Sequence, residues 1–169
     1  MKQLRLSDTS NPTNVYLRVA MLGFATGLRT MTPLSWLNSD GLLKATPGME
    51  SSPLLNTLQS PTIQTMIRLL AAGELFADKL PIIPSRTSLG PLGARLVIGG
   101  LAGMLLCRQY NQPPLAGAVV GGTSALISSY LASSLRKNLS KKARIPDFLL
   151  GMGEDMLVLR LGKLAMGKE

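Results

Sequence analysis

The chain has 169 residues, enough for one domain, and is 46% hydrophobic but only 4% aromatic, which sets it apart from disordered and fibrous sequences. With no histidine and a single cysteine, Cys107, it has no intrachain disulfide and no Cys/His metal chemistry, and only a carboxylate cation site stays open. The net charge of +9 would suit nucleic acid, so where the charge falls decides its meaning.

In chain order, a tail over 1–14 carrying Lys2 and Arg5 leads into a first helix expected over 15–38. Arg18 and Arg29 interrupt that stretch and it runs on into Pro33-Leu34-Ser35-Trp36, so no cleavable signal peptide is expected. Pro33 is expected to end or kink the helix near Thr32. A second helix over 61–80 starts at Pro61 and is stopped by Pro81 and Pro84. A third is expected over 89–108. Pro113 and Pro114 open a fourth over 113–135, and Pro146-Asp147 opens a fifth over 146–166, leaving 167–169 as a tail.

The expected architecture is all-α, a polytopic helical membrane protein of about five spans. A span needs about 20 mostly apolar residues. The uncharged interval between Arg108 and Arg136 satisfies that cleanly, whereas the other candidates carry charge, and the mean hydropathy of +0.24 is low for an integral membrane protein.

The basic residues gather in connections. Arg136, Lys137, Lys141, Lys142 and Arg144 crowd one of them, which a five-span topology puts on the same side as Lys2, Arg5, Lys79 and Arg86. By the positive-inside rule the N-terminus is then cytoplasmic and the C-terminus outside. A basic loop beside a bilayer reads as contact with anionic lipid at 136–144, not as a nucleic-acid surface.

Aligning the first helix with the fourth, without a gap, sets Gly23 against Gly117, Gly27 against Gly121, Ser35 against Ser129 and Leu37 against Leu131. Leu69-Leu70-Ala71-Ala72-Gly73-Glu74 is likewise echoed by Leu149-Leu150-Gly151-Met152-Gly153-Glu154. Together these predict that helices 1–2 and 4–5 are an inverted-topology repeat, an arrangement that places sites near the midplane. Three helices carry Gly-x3-Gly: Gly23 with Gly27, Gly99 with Gly103, and Gly117 with Gly121. That spacing puts both glycines on one face, and packing against another helix is the expected role.

A charge at the bilayer centre costs roughly 2.5 to 3.5 kcal/mol on insertion scales, so charges kept there are paired or used. Glu74 and Asp78 share a helical face, with Lys79 able to reach the interface. Glu154 and Asp155 lie on adjacent faces and cannot both meet one partner. Arg29, Arg68, Arg95 and Arg160 are the available counter-ions, so closed pairing competes with a proton or cation relay through Glu74 and Glu154, tuned by Arg29 and Arg95. Nothing resembles a serine nucleophile elbow or a phosphate-binding glycine loop, so no enzyme, cofactor or metal is expected.

The segments Gly23-Phe24-Ala25-Thr26-Gly27-Leu28-Arg29-Thr30-Met31-Thr32-Pro33-Leu34, Glu74-Leu75-Phe76-Ala77-Asp78-Lys79-Leu80-Pro81, Gly121-Gly122 through Arg136, and Glu154-Asp155 resemble the bacterial integral-membrane family catalogued as domain of unknown function 4126. The chain departs from it after Pro81, where Ile82-Ile83-Pro84 replaces the usual glycine and acid. The resemblance implies a multi-pass protein of the bacterial inner membrane with no established activity. Two functions compete: a small ion or solute transporter or channel using the intramembrane carboxylates, expected to be a homo-oligomer because five short spans enclose little volume, and a structural or assembly protein whose charges lock helices together.

Overall fold

The computed structural model describes residues 11–39, 56–58, 60–77, 89–142 and 147–166, in places for the backbone alone. These are helical and contain no strand, as the sequence predicts. The helices of eight residues or more are α1 (Pro12–Leu28), α2 (Thr32–Ser39), α3 (Pro61–Ala77), α4 (Leu89–Gln109), α5 (Pro114–Lys142) and α6 (Asp147–Ala165). Among the described residues, two helical stretches, Gly90–Gln109 and Pro114–Leu135, are long and apolar enough to cross a membrane.

Helix ends follow local chemistry. The Asn11 side chain caps α1 by accepting the Thr13 N–H at 3.0 Å, with Pro12 at the first helical position, where its missing N–H costs nothing. After α4, Asn111 takes a left-handed φ of 53°, and the chain closes on itself through Gln112 N–H to Cys107 O at 2.8 Å and Asn111 N–H to Arg108 O at 3.2 Å. This Schellman pattern satisfies the last carbonyls of α4, and Pro113-Pro114 then starts α5.

The first expected helix is broken. Its regular hydrogen bonding stops at Arg29, whose N–H reaches Ala25 O at 2.8 Å while its own backbone turns extended, and helix resumes at Thr32. The break falls just before Pro33, which has no N–H to give the Arg29 carbonyl and whose ring would clash with that carbonyl in a continuous helix. The chain does more than kink there. Arg29 meets Asp155, whereas Trp36 lies against Gly162, two turns farther along α6, and packs with both apolar clusters of the core. Since α6 runs antiparallel to α1, α2 turns back along the body. The aligned stretch of α5 runs on without a break, so the sequence correspondence between the first and fourth helices is not matched by the backbone at residues 29–31.

The core is α1, α4 and α5, drawn together by their glycines. A Cβ on Gly23 would strike the Gly121 carbonyl, one on Gly103 the Gly117 carbonyl, and one on Gly121 the Gly99 carbonyl. Gly27 sits in the same way on Ala125 and Ser128. All three predicted glycine pairs are thus packing surfaces, and they mesh in one three-helix contact. Buried hydroxyls turn onto backbone: Thr26 Oγ1 donates to Leu22 O at 2.9 Å, and Ser129 Oγ lies 2.7 Å from Ala125 O and 3.1 Å from Gly27 O. Helix α6 packs chiefly on α1 and barely touches α5; α3 leans on α2 and contributes Ile67 to the core.

The contacts also fix direction. Arg18 meets Tyr110, so α1 starts where α4 ends; Gly23 and Gly27 follow Gly121 and Ala125 in parallel; and Ala165 shares a cluster with Val15 and Val19. The start of α1 and the end of α6 therefore lie at one end of the bundle. The five-span reading makes the first and fifth expected helices parallel and so puts those two helix ends on opposite sides; in the structure α6 runs antiparallel to α1.

Two measurements follow. Gly103→Ala and Gly121→Ala should each lower thermal stability by about 1 to 3 kcal/mol through overpacking. Gly151→Ala, with nothing within 4 Å of its added carbon, should instead gain a few tenths to about 1 kcal/mol of helix propensity. Cysteines placed at the exposed Thr13 and Lys163 in a Cys107→Ala background should be labelled together by an impermeant maleimide on sealed vesicles of either orientation. Labelling of one without the other would place the termini on opposite faces.

Candidate functional site

The charged site is assembled where α1 ends. Arg29, 7% exposed, aims Nε and a terminal nitrogen at one oxygen of Asp155 on α6. Arg95, in the second turn of α4, is 8% exposed and its Nε donates to Thr30 Oγ1 at 3.4 Å. Two guanidinium groups thus flank residues 29–30, at the carbonyl end of α1. A helix C-terminus carries partial negative charge, so cations are favoured there, and the break leaves carbonyls without intrahelical partners. The local sequence explains the placement: Arg29 is the residue at which helix stops, and Thr30 follows it in the turn.

Adjacent residues on α6 point about 100° apart, so Glu154 and Asp155 face different surroundings. Asp155 goes to Arg29. Glu154 instead lines a cavity of about 320 Å³ whose walls are Leu131, Ala132 and Leu135 of α5, Leu149, Leu150 and Leu157 of α6, and Phe24 and Leu28 of α1. The cavity exists because α6 is held by α1 and diverges from α5.

The structure thus unites Arg29, Arg95 and Asp155 from the predicted set, with Glu154 beside them facing the cavity. It pairs Arg29 with Asp155, whereas the sequence suggested Arg29 as the modulator of the glutamates. Glu74 lies in the last turn of α3 but its side chain is outside the described residues, as are Asp78 and Lys79 altogether. Arg68 and Arg160, counted as counter-ions from sequence, are exposed on the outer faces of α3 and α6. They are not buried partners for the acids, because the helical period turns them away from the core side marked by Ile67 and Val158. Among the described residues, no group of three or more His, Cys, Asp or Glu side chains could hold a metal ion.

A third buried arginine was missed. Arg18, 2% exposed, donates from Nη1 to Tyr110 Oη at 2.9 Å, and its guanidinium carbon lies 5.3 Å from the Tyr110 ring centre. An arginine over an aromatic face gains on the order of 1 to 2 kcal/mol when desolvated. Its Nε has no hydrogen-bond partner. The available signal was the arginine itself, one residue in an otherwise apolar stretch of helix, with the only tyrosine of the α4–α5 turn as partner across 92 positions.

These features define a class: an all-helical protein with a glycine-packed core, two helices fit to cross a membrane, and buried arginines at both ends of the core. The chain belongs to the family described as domain of unknown function DUF4126, which matches residues 17–167. No curated protein and no solved structure matches it.

A double-mutant cycle tests the ion pair. Arg29→Ala and Asp155→Ala should each destabilise the protein, and the double variant should be less damaged than their sum, with a coupling of about 1 to 3 kcal/mol in thermal unfolding. Simple additivity would mean that the pair contributes nothing.

Proposed function

We propose that this is a multi-pass protein of the bacterial inner membrane that moves or senses a small ion or solute through its intramembrane carboxylates, without catalysing a reaction. The observation that carries the membrane part is the inverted distribution of polarity. Arg18, Arg29, Arg95, Thr26, Ser128 and Ser129 are buried, while Leu69, Leu115 and Met156 are 66%, 76% and 72% exposed and are joined by Val97, Ile127, Leu131, Leu135 and Leu159. In water the exposed leucines would cost about 25 cal/mol for each Å² of apolar surface. In lipid they cost nothing, and the small-residue interior is what helices use to associate there.

The transport part is supported by Glu154, a carboxylate in a leucine-walled cavity, and by the broken α1–α2 element, since interrupted helices are where transporters place their sites. Glu74 is the second carboxylate of this reading, on the strength of the repeated Leu-Leu motif; an inverted duplication is not part of it, because α1 and α5 run parallel where inversion would set them antiparallel. The basic run of 136–144 begins in the last turns of α5, at the end of the bundle away from the start of α1 and the end of α6. The positive-inside rule, applied to that arrangement, makes the run cytoplasmic and in contact with anionic lipid. Arg68, exposed among Met66, Leu69 and Leu70, marks α3 as the face where a second copy would pack.

A second reading, a structural or assembly protein, is favoured by one observation, the closed Arg29–Asp155 pair. Flux separates the two. In proteoliposomes, Glu154→Gln and Glu74→Gln should each abolish proton-coupled or cation flux while the protein stays folded, and unchanged flux in both would leave the structural reading. Alkaline carbonate should leave the protein in the membrane pellet; release to the supernatant would end both.

A further inference from the structure

We propose that the cavity between α5 and α6 seats one acyl chain of an anionic phospholipid, whose headgroup meets the basic residues Arg136 and Lys142 just beyond the cavity on α5. The proposal narrows the anionic-lipid contact of the reading above from a diffuse attraction to a single site, and it rests on that reading for the bilayer.

The cavity has the dimensions of a chain. Its lining runs from Ser128 to Leu135 on α5 and from Leu149 to Leu157 on α6, about 10 to 12 Å at the helical rise, against about 15 Å of hydrocarbon in one leaflet. Its volume of about 320 Å³ lies at the lower end of ligand pockets and takes most of one chain. Its depth matches too. The stretch of α5 fit to cross a membrane ends at Leu135, so the lining belongs to the last part of that span and Arg136 is the first residue past it. The cavity opens sideways between helices that barely touch, and its rim of Leu131, Leu135, Leu149 and Leu157 is exposed where lipid would lie. A gap left there would deprive the walls of van der Waals contacts, and the chain of an adjacent lipid restores them.

Chemistry excludes other occupants. Glu154, the only charged side chain among the described lining residues, is already engaged by an interaction within the protein, so the cavity calls for no counter-ion and a hydrocarbon chain meets no lone charge. A polar solute would lose its hydrogen bonds against leucine walls, since the Ser128 hydroxyl is turned onto Ala125 O at 3.1 Å. A helix from another protein, at least about 10 Å thick, is too wide. The sign of the headgroup follows from the register of α5. Lys142 is seven residues past Leu135 and Arg136 four past Ala132, spacings that continue the lining face toward the membrane surface, whereas Lys137 and Lys141 belong to the opposite side of the helix. Basic positions at that height favour an anionic headgroup.

The test uses the full chain purified in a nonionic detergent, with retained lipid counted by native mass spectrometry after addition of dioleoylphosphatidylglycerol and dioleoylphosphatidylcholine in equal amounts. One phosphatidylglycerol per chain is expected, preferred over phosphatidylcholine by at least about tenfold, as two basic residues would give. Gly153 lines the cavity and has nothing within 4 Å of an added carbon, so Gly153→Trp should lower retention of both lipids at least about tenfold; Gly151→Trp, equally open but off the lining, should not. The pair Arg136→Gln and Lys142→Gln should erase the preference for phosphatidylglycerol. The pair Lys137→Gln and Lys141→Gln, which removes the same charge from the other side of α5, should preserve it. Retention that survives Gly153→Trp, equal retention of the two lipids by the wild type, or equal effects of the two charge pairs would each overturn the assignment. Release by alkaline carbonate would instead end the membrane reading itself, and a chain that holds the lipid but passes no ion would contradict transport while sustaining this site.

Discussion

Everything in this fold depends on how closely three backbones approach. At Gly23, Gly99, Gly103, Gly117 and Gly121 there is no room for even one more carbon atom, because the neighbouring atom is a carbonyl or Cα of another helix. Backbone atoms cannot rotate out of the way as side chains do, so these contacts fix the separation and the register of α1, α4 and α5 together. Attraction at such distances comes from many weak contacts, each about 0.1 to 0.2 kcal/mol, and it works in lipid as well as in water. A core built this way needs few large apolar side chains, which leaves the leucines on the outside.

The arginines follow from the same geometry. With α1 central to the bundle, its two ends are enclosed by α4 and α6, and the charges they carry must be answered locally. At one end Tyr110, held in place by the Asn111 turn, offers Arg18 a ring and a hydroxyl. At the other, the helix stops and its carbonyl end faces Arg29 and Arg95, while α6 supplies Asp155. The break in α1 is therefore an electrostatic feature as much as a steric one. Pro33, with no N–H for the Arg29 carbonyl, keeps the helix from continuing unbroken, and the guanidinium groups stabilise the end that results.

Helix limits were largely legible, since Pro61, Pro114 and Asp147 sit at observed starts and the α4–α5 boundary is within a residue of expectation. The reason is that proline and capping chemistry is local. The glycine faces were legible for the same reason, as a period along one helix. Which faces meet was not: the partner of Gly23 is Gly121, where the sequence alignment pointed to an equivalence with Gly117. Nor was the reversal at residues 29–31, because a proline announces an interruption without its angle. The site shows the same divide. Position within a helix identified Arg29, Arg95 and the two acids of α6, but the choice of Asp155 for Arg29 joins residues 126 apart and depends on the rotation of α6 against α1. Arg18 was passed over because a single charge in an apolar stretch looks like a blemish until its partner across the fold is known.

The division of labour between Glu154 and Asp155 rests on that rotation. Val158, Gly162 and Ala165 form the buried stripe of α6, at the i, i+4, i+7 spacing of one helical face. Carried back one turn, the stripe passes between Asp155 and Glu154, three and four residues before Val158, so the two acids leave it on opposite sides. Asp155 reaches Arg29 at the edge of α1, and Glu154 falls on the side of the cavity next to α5. Since α6 is held by α1 and not by α5, that side stays open. One residue of register thus separates an acid that fastens the bundle from an acid that lines the space beside it.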